Sequence, residues 1–588
     1  MGYDDTVLAS TIIQDAEAVE IVNRHVPGAL ESPLLRYLTS MRLDGIFRGA
    51  LFAGEAPPDL SAMWTELGAL SRETRNSTLQ KAPAPANAAY EDESTPRGSA
   101  RLRDIPDAEQ WIPVDIVLDG PSHGNPFVDA DLWADFVVNG HPAARPIRMH
   151  GFYDGDGVYR IRFAASAPGR WSFVTGATAR SLDGIVGAFD VAPAQQSHGP
   201  VRVGDTFHFR HEDGERFLPI GTTLYAWTHQ PDDVQARTLR SLEAAPFTKV
   251  RMCVLPKSYL FNTDEPELLP YQKGAAGEWD FSRFEPAFFR RFEDSVAELG
   301  GRGIEADVIL FHVYDRWGFA NMPSWADDMF VRYVVRRLAA FPNVWWSLAN
   351  EYDLIATKTT DDWERIAGII GVEDAVGHLI SIHNCFGFYD YSRPWITHAS
   401  VQRTDVYRTA ENTDLWREEW HKPVVIDECG YEGDIDQGWG NLTGEELTRR
   451  AWEAAMRGGY LNHGETFLND DEQLWWSKGG DLVGESPARF AFLLDVIRAS
   501  PDGVLEPLPS DWDARWAGDD SYRIVYFGFN RPAYRDVRLR PGTSWEIDIV
   551  DTWNMTIETL PGIHQGSVRV RLPARPYMAV RLRLVPAS

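Results

Sequence analysis

Eight stretches of apolar, β-branched and aromatic residues recur between about residue 205 and residue 505, separated by segments with helical spacing. This alternation narrows the possible folds more than any other property of the chain. The stretches are RFLPIGTTLYAW (216–227), TKVRMCVL (248–255), IEADVILFHVYD (304–315), NVWWSLANE (343–351), LISIHN (379–384), WITHAS (395–400), KPVVIDECG (422–430) and GYLNHGETF (459–467). Runs this apolar are covered on both faces, as in parallel sheets with helices packed around them. Between them, Phe288, Phe292, Val296 and Leu299 fall on one face of a helix over 285–300, and Thr443 with Glu446 forms a capping box that opens another. The pattern predicts an α/β fold whose centre is a (β/α)8 TIM barrel over 201–505. Active sites of such barrels lie at the C-terminal ends of the strands.

With 588 residues the chain is too long for one core, and its flanks read differently. From Trp111 the period is two, through WIPVDIVL, WADFVVNG and VYRIRFAA, with Asp-Gly turn pairs in YDGDGVY. A β-sandwich over 105–200 follows from these short strands. After about 506, YRIVYFGFN, WEIDIVDTWN and YMAVRLRLV predict a second sandwich to 588. Residues 1–80 read as a helical segment, with Ser32-Pro33 as a cap and first-turn pair. The Pro/Ala/Ser/Glu-rich stretch within 81–104 reads as a linker.

Two of the eight stretches end in a carboxylate. Asn350 and Glu351 follow VWWSLA, and Glu428 closes VVIDE. A lone Asn-Glu is ordinarily a strand returning to solvent. Two glutamates at the exits of strands four and seven point to the same mouth of a barrel. Retaining glycoside hydrolysis needs such a pair at about 5–5.5 Å, one carboxyl protonated to release the leaving group and one ionised to attack the anomeric carbon.

Asn-Glu ending strand four and Glu ending strand seven resemble the clan A glycoside hydrolases. GVYRIRF and APGRWSF resemble the leading β-sandwich of the apiosidase-like group of that clan, and GTTLYAW, WWSLANEYD and DECGYEG resemble its barrel motifs. The resemblance covers about 110–588 and leaves the helical segment 9–80 unmatched. It implies that Glu351 is the general acid/base and Glu428 the nucleophile. It further implies that Asn350 hydrogen-bonds the hydroxyl next to the anomeric carbon, a contact that strengthens in the oxocarbenium-like transition state. The clan needs no metal, and no cofactor is expected.

Other residues at the strand exits are candidates for sugar recognition, each with a structural hydrogen bond as its alternative: His312 and Asp315 after strand three, His383 and Asn384 after strand five, His398 after strand six. Arg251, inside strand two, is expected either to hold a catalytic carboxylate ionised or to form an ion pair inside the barrel. Trp227 after strand one, and Trp475 or Trp476 after strand eight, are candidate sugar platforms, with core packing as the alternative. Asp427 alternates away from Glu428 and reads as a supporting residue. HGE (463–465) and HVYD lack metal-ligand spacing.

A formal net charge of −29 disfavours nucleic acid and anionic membrane surfaces as partners. No run of about 18 apolar residues is present for a membrane span. Three widely spaced cysteines make no disulfide framework, and the acidic N-terminus does not read as a signal peptide, so a cytoplasmic location is expected. The expected partner is a small carbohydrate or glycoside. The expected activity is retaining, exo-acting glycoside hydrolysis by double displacement, with a pentofuranoside of apiose or arabinose type suggested by the resemblance. A β-hexoside or β-hexuronide is the alternative within the clan. From other classes come a non-catalytic carbohydrate-binding barrel, opposed by two intact glutamates, and a metal-dependent barrel isomerase. The helical N-terminus offers self-association into a homo-oligomer or a wall at the barrel mouth, and its sequence does not choose.

Overall fold

The computed structural model describes residues 3–4, 7, 9–13, 15–31, 42–47, 59–70, 82–87, 89–140, 145–259, 261–403, 405, 408–469 and 474–586. The Ser32-Pro33 helix start lies outside the described residues. The chain forms two compact units. The first comprises Met1–Pro200, Thr228–Gln230 and Cys253–His378; the second comprises Val201–Trp227, Pro231–Met252 and Leu379–Ser588. Eight central strands follow one another along the chain: β1 Gly221–Thr223, β2 Lys249–Cys253, β3 Glu305–Phe311, β4 Val344–Ala349, β5 Leu379–Ser381, β6 Ala399–Gln402, β7 Val424–Glu428 and β8 Tyr460–Leu461.

In the first unit, the N-terminal helices bury their own small core, in which Ile21 and Val22 of Ala16–His25 join Met63 and Leu67 of Ser61–Ala69. Asp15 caps the first of these helices by accepting from the Glu17 and Ala18 amides. The leading sandwich has a four-stranded and a five-stranded sheet. Val114, Ile116 and Leu118 alternate inward with Leu132, Ala134 and Phe136, and Phe136 stacks on Phe163 with centroids 4.0 Å apart. The expected linker is in its second half part of this domain. Arg101–Leu102 pairs with Leu118 and Asp119, Tyr90 stacks on His123, and Glu91 accepts from the Ser181 amide.

Strands β3 and β4 of the same unit pair in parallel, and every residue of both is buried. Helices Pro286–Gly300 and Ser324–Leu338 supply the apolar cover, with Phe288, Phe292, Val296 and Leu299 all buried as their spacing requires. Between sandwich and helices runs a buried charged seam. Arg162 of the sandwich contacts Asp115 at 2.8 Å and Glu293 at 3.1 Å, while Arg337 reaches Glu293 at 2.5 Å and Asp154 at 2.9 Å.

In the second unit, β6, β7 and β8 pair in parallel, as do β1 and β2. Single parallel bridges, His383 to Ser400 and Thr222 to His463, extend the run at either side. Thr443 caps helix Gly444–Ala455 by accepting from the Glu446 amide, but the Glu446 carboxylate turns to Arg449 and Arg450 instead of closing the box. The stretch 216–227 proves composite. Arg216–Phe217 belongs to an antiparallel sheet with Val201–Gly204 and His208–His211, and the parallel strand begins only at Gly221, beyond Pro219. The C-terminal domain is a five-stranded antiparallel sheet with a separate strand pair, closed over Val525, Trp545, Ile547 and Val580.

Candidate active site

Strand β7 delivers Asp427 and Glu428 to different surroundings. Glu428 is 8 % exposed. Its Oε1 accepts from the Tyr225 hydroxyl and lies 3.2 Å from His383 Nε2. Burial alone would raise its pKa. The His383 hydrogen bond and charge, the Arg251 charge and the Tyr225 hydroxyl outweigh burial and hold the carboxyl down at about 2. Glu428 is therefore ionised at neutral pH. Tyr431 belongs to the same surroundings, its hydroxyl pushed well above the ordinary tyrosine value by burial and by the Glu428 charge.

Asp427 points the other way and is fully buried. It receives Lys249 Nζ and Asn462 Nδ2, each at 2.7 Å, and the Ser400 hydroxyl, with Arg251 Nη1 3.8 Å away. These cations overcome the burial penalty and keep its carboxyl far below the usual range. Arg251 thus combines both roles open to it in the sequence, pairing with Asp427 inside the barrel and favouring the ionised Glu428.

In the first unit, Asn350 and Glu351 leave β4, and Glu351 adopts a left-handed backbone (φ 55°) before a tight helical turn over Tyr352–Leu354. A non-glycine residue in that region costs on the order of 1–3 kcal/mol, a strain found mostly where side-chain direction matters. The carboxylate accepts from the Tyr314 hydroxyl at 2.5 Å and from Asn350 Nδ2 at 3.4 Å. Behind it, Lys257 Nζ lies 4.3 Å from the Tyr314 ring centroid and 4.8 Å from that of Tyr259. His312, at the exit of β3, donates from Nε2 to Leu255 O at 3.0 Å, which leaves Nδ1 as an acceptor without a hydrogen bond. Burial, reinforced by the Lys257 charge, pushes its pKa down to about 3 and keeps the ring neutral.

Several expected sugar contacts take other tasks. Asp315 is a loop former: its oxygens accept from the Trp317, Gly318 and Ala320 amides. Asn384 bridges strands, accepting from Gln402 N and donating to Gln402 O. His383 faces Glu428 and Ser400, not open space. His398 precedes β6, which begins at Ala399, so it stands at the end of that strand opposite to the expected one and packs edge-on to Phe209. Trp227 is completely buried and donates to Met252 Sδ. Trp475 donates to Thr222 Oγ1, 2.8 Å away, so Trp476 is the indole that packs against Tyr225 and Tyr431. Sequence reasoning missed Tyr225, Tyr314, Gln402 and Tyr431. A hydroxyl-bearing ring at a strand exit was the available signal for the three tyrosines.

Among the described residues, two clusters bring ligand-type atoms within 4.8 Å of one another: the exposed His198, Asp213 and Glu215, and the buried Glu432, His463 and Glu465. In the buried cluster the carboxylates already accept from the backbone amides of residues 483–486, and Ser486 Oγ donates to Glu432 as well.

Residues 205–481 match the apiosidase-like catalytic domain family, and 107–178 and 512–583 match two domain families of unknown function, DUF5060 and DUF5605. Curated protein sequences give no match. Among solved structures, a protein assigned as a glycoside hydrolase from Bacteroides vulgatus is 36% identical over 82% of this chain and 100% of its own, with a TM-score of 0.77. A glycoside hydrolase family 5 protein from the same organism is 16% identical over 66% of this chain and 93% of its own, with a TM-score of 0.53, a likeness of fold. The fold class is α/β, a (β/α)8 barrel flanked by two β-sandwich domains.

Proposed function

This chain belongs to the clan A retaining glycoside hydrolases, in the apiosidase-like group, and from that premise we propose that Glu428 is its nucleophile and Glu351 its general acid/base. Glu428 attacks the anomeric carbon while Glu351 protonates the departing oxygen. Glu351 then removes a proton from the water that releases the sugar. The observation that carries this reading is the electrostatic setting of Glu428, a buried carboxylate at a strand exit kept ionised by His383, Arg251 and Tyr225. Asn350, beside Glu351, is assigned to the hydroxyl next to the reacting carbon. His312, with its free acceptor nitrogen, is assigned to another sugar hydroxyl.

The substrate is a small glycoside or oligosaccharide cleaved from its end, with a pentofuranoside of apiose or arabinose type favoured by the catalytic domain's likeness. Cys253, Cys385 and Cys429 form no disulfide, which suits a reducing cytoplasm. No helix among the described residues is long and apolar enough to cross a membrane.

Aryl glycosides, furanose and pyranose in both anomers, identify the sugar. Glu428→Gly should then abolish turnover and recover it with azide as a glycosyl azide of inverted configuration. Undiminished hydrolysis by that variant would remove Glu428 from the chemistry.

A further inference from the structure

Four side chains on three neighbouring strand segments form a continuous line from a buried charge to the nucleophile. The Ser400 hydroxyl donates to Asp427 Oδ2, so its only hydrogen is committed. His383 Nδ1 lies 3.0 Å from the same Ser400 oxygen, which can only accept there. The other ring nitrogen, Nε2, faces Gln402 Oε1 at 3.0 Å and Glu428 Oε1 at 3.2 Å, again acceptors. The Gln402 amide is oriented by its nitrogen, which meets Cys385 Sγ. Every group that faces the imidazole edge therefore demands a hydrogen.

We propose that Ser400 and Asp427 are positioning residues that hold a hydrogen on His383 Nδ1, so that the ring donates from both nitrogens and keeps the Glu428 carboxylate ionised and aimed. This rests on the reading of Glu428 as nucleophile. The charges close around the line. Asp427 is balanced by Lys249 and Arg251, which leaves the positive imidazole to serve Glu428, with Tyr225 as a neutral second donor. Asn462 completes the Asp427 shell at 2.7 Å. If Ser400 is replaced by alanine, Nδ1 loses its acceptor inside a dry site, and an imidazolium with an unsatisfied N–H is costly. The ring then reverts to one hydrogen, and Glu428 loses the positive charge 3.2 Å from its Oε1.

The test uses the full chain labelled with 15N-histidine, with the His383→Gln spectrum assigning the signal. At pH 7 the wild-type ring should show both nitrogens protonated. Ser400→Ala should leave one bare, and Ser400→Thr, which keeps the hydroxyl, should restore the pair. A wild-type ring with one bare nitrogen, or a Ser400→Ala ring still carrying both hydrogens, overturns the proposal. On an aryl glycoside that the wild type hydrolyses, the acidic limb of kcat/KM should move up by about one pH unit or more in Ser400→Ala and stay in place in Ser400→Thr. An unmoved limb in the alanine variant also overturns it. The spectra require no turnover, so a Glu428→Gly variant that remained active would refute the nucleophile assignment while leaving the ring's protonation separately decided.

Discussion

Tyr225→Phe removes one hydroxyl and nothing else from the surroundings of Glu428. The ring is 1% exposed and packs edge-on against Trp476, so the fold should tolerate the change. The lost interaction is a hydrogen bond to an ionised carboxylate, worth about 1.5–3 kcal/mol, or about 10- to 150-fold in rate. Its effect should fall unevenly on the two chemical steps. In the free enzyme the hydroxyl stabilises the carboxylate, so removing it raises the basicity of Glu428 and partly offsets the poorer alignment during attack. In the second step Glu428, as the proposed nucleophile, is the leaving group, and the hydroxyl would stabilise the charge that returns to it. Deglycosylation should therefore slow by about tenfold or more, kcat and KM should fall together, and kcat/KM should change less. Stopped-flow measurement with an activated aryl glycoside should show a burst of released phenol followed by a slow steady state. The acidic limb of the pH profile should rise from its wild-type position, since one of the groups holding Glu428 near 2 is gone. A variant with unchanged kcat and no burst refutes the assigned role of Tyr225.

Glu305, buried at the start of β3 with Trp345 Nε1 donating to it at 2.9 Å, has its pKa pushed up to about 8 by burial. Since the unfolded chain ionises from about 4.5, stability is greatest below that pH and is lost as pH rises toward 8, at about 1.4 kcal/mol per unit. Glu305→Gln should raise Tm increasingly between pH 5 and pH 8, and a pH-independent difference counts against this. Arg337→Met takes a shared cation from buried Glu293 and Asp154, which keep Arg162 and Arg160 as partners, and should cost about 1.5–3 kcal/mol in urea unfolding. Trp227→Ala should cost a similar amount, about 3–5 kcal/mol, through the cavity it opens, whereas a sugar platform would lose affinity with stability unchanged. In Gly484→Ala the new methyl would stand 2.5 Å from Glu465 Oε2 and 2.7 Å from Glu432 Oε2, so Tm should drop by several degrees in scanning calorimetry.

The barrel strands and both terminal glutamates were legible because burial on two faces leaves a plain mark in composition, and a charge at the end of such a run stands out. The registers were not. WITHAS contains the start of β6 but not its end, and only the ladder beginning at Ala399 shows that His398 stands on the wrong side. Tyr225 was hidden inside GTTLYAW, where it reads as one more strand residue, although β1 already ends at Thr223. Asp315 looked like a sugar ligand because an acid after a strand is ambiguous between substrate and loop. Its commitment to three amides within five residues depends on a turn that residue spacing does not encode.

The charged seam of the first unit bears on how such a protein can be dissected. Arg162 comes from the leading sandwich, Glu293 and Arg337 from barrel helices, and each neutralises partners from across that boundary. Excising the sandwich would take Arg162 from Glu293 and Asp154 from Arg337 and wet the face they now bury, and the trimmed enzyme should aggregate. Sandwich and barrel are thus a single cut of cloth with the stitching on the inside.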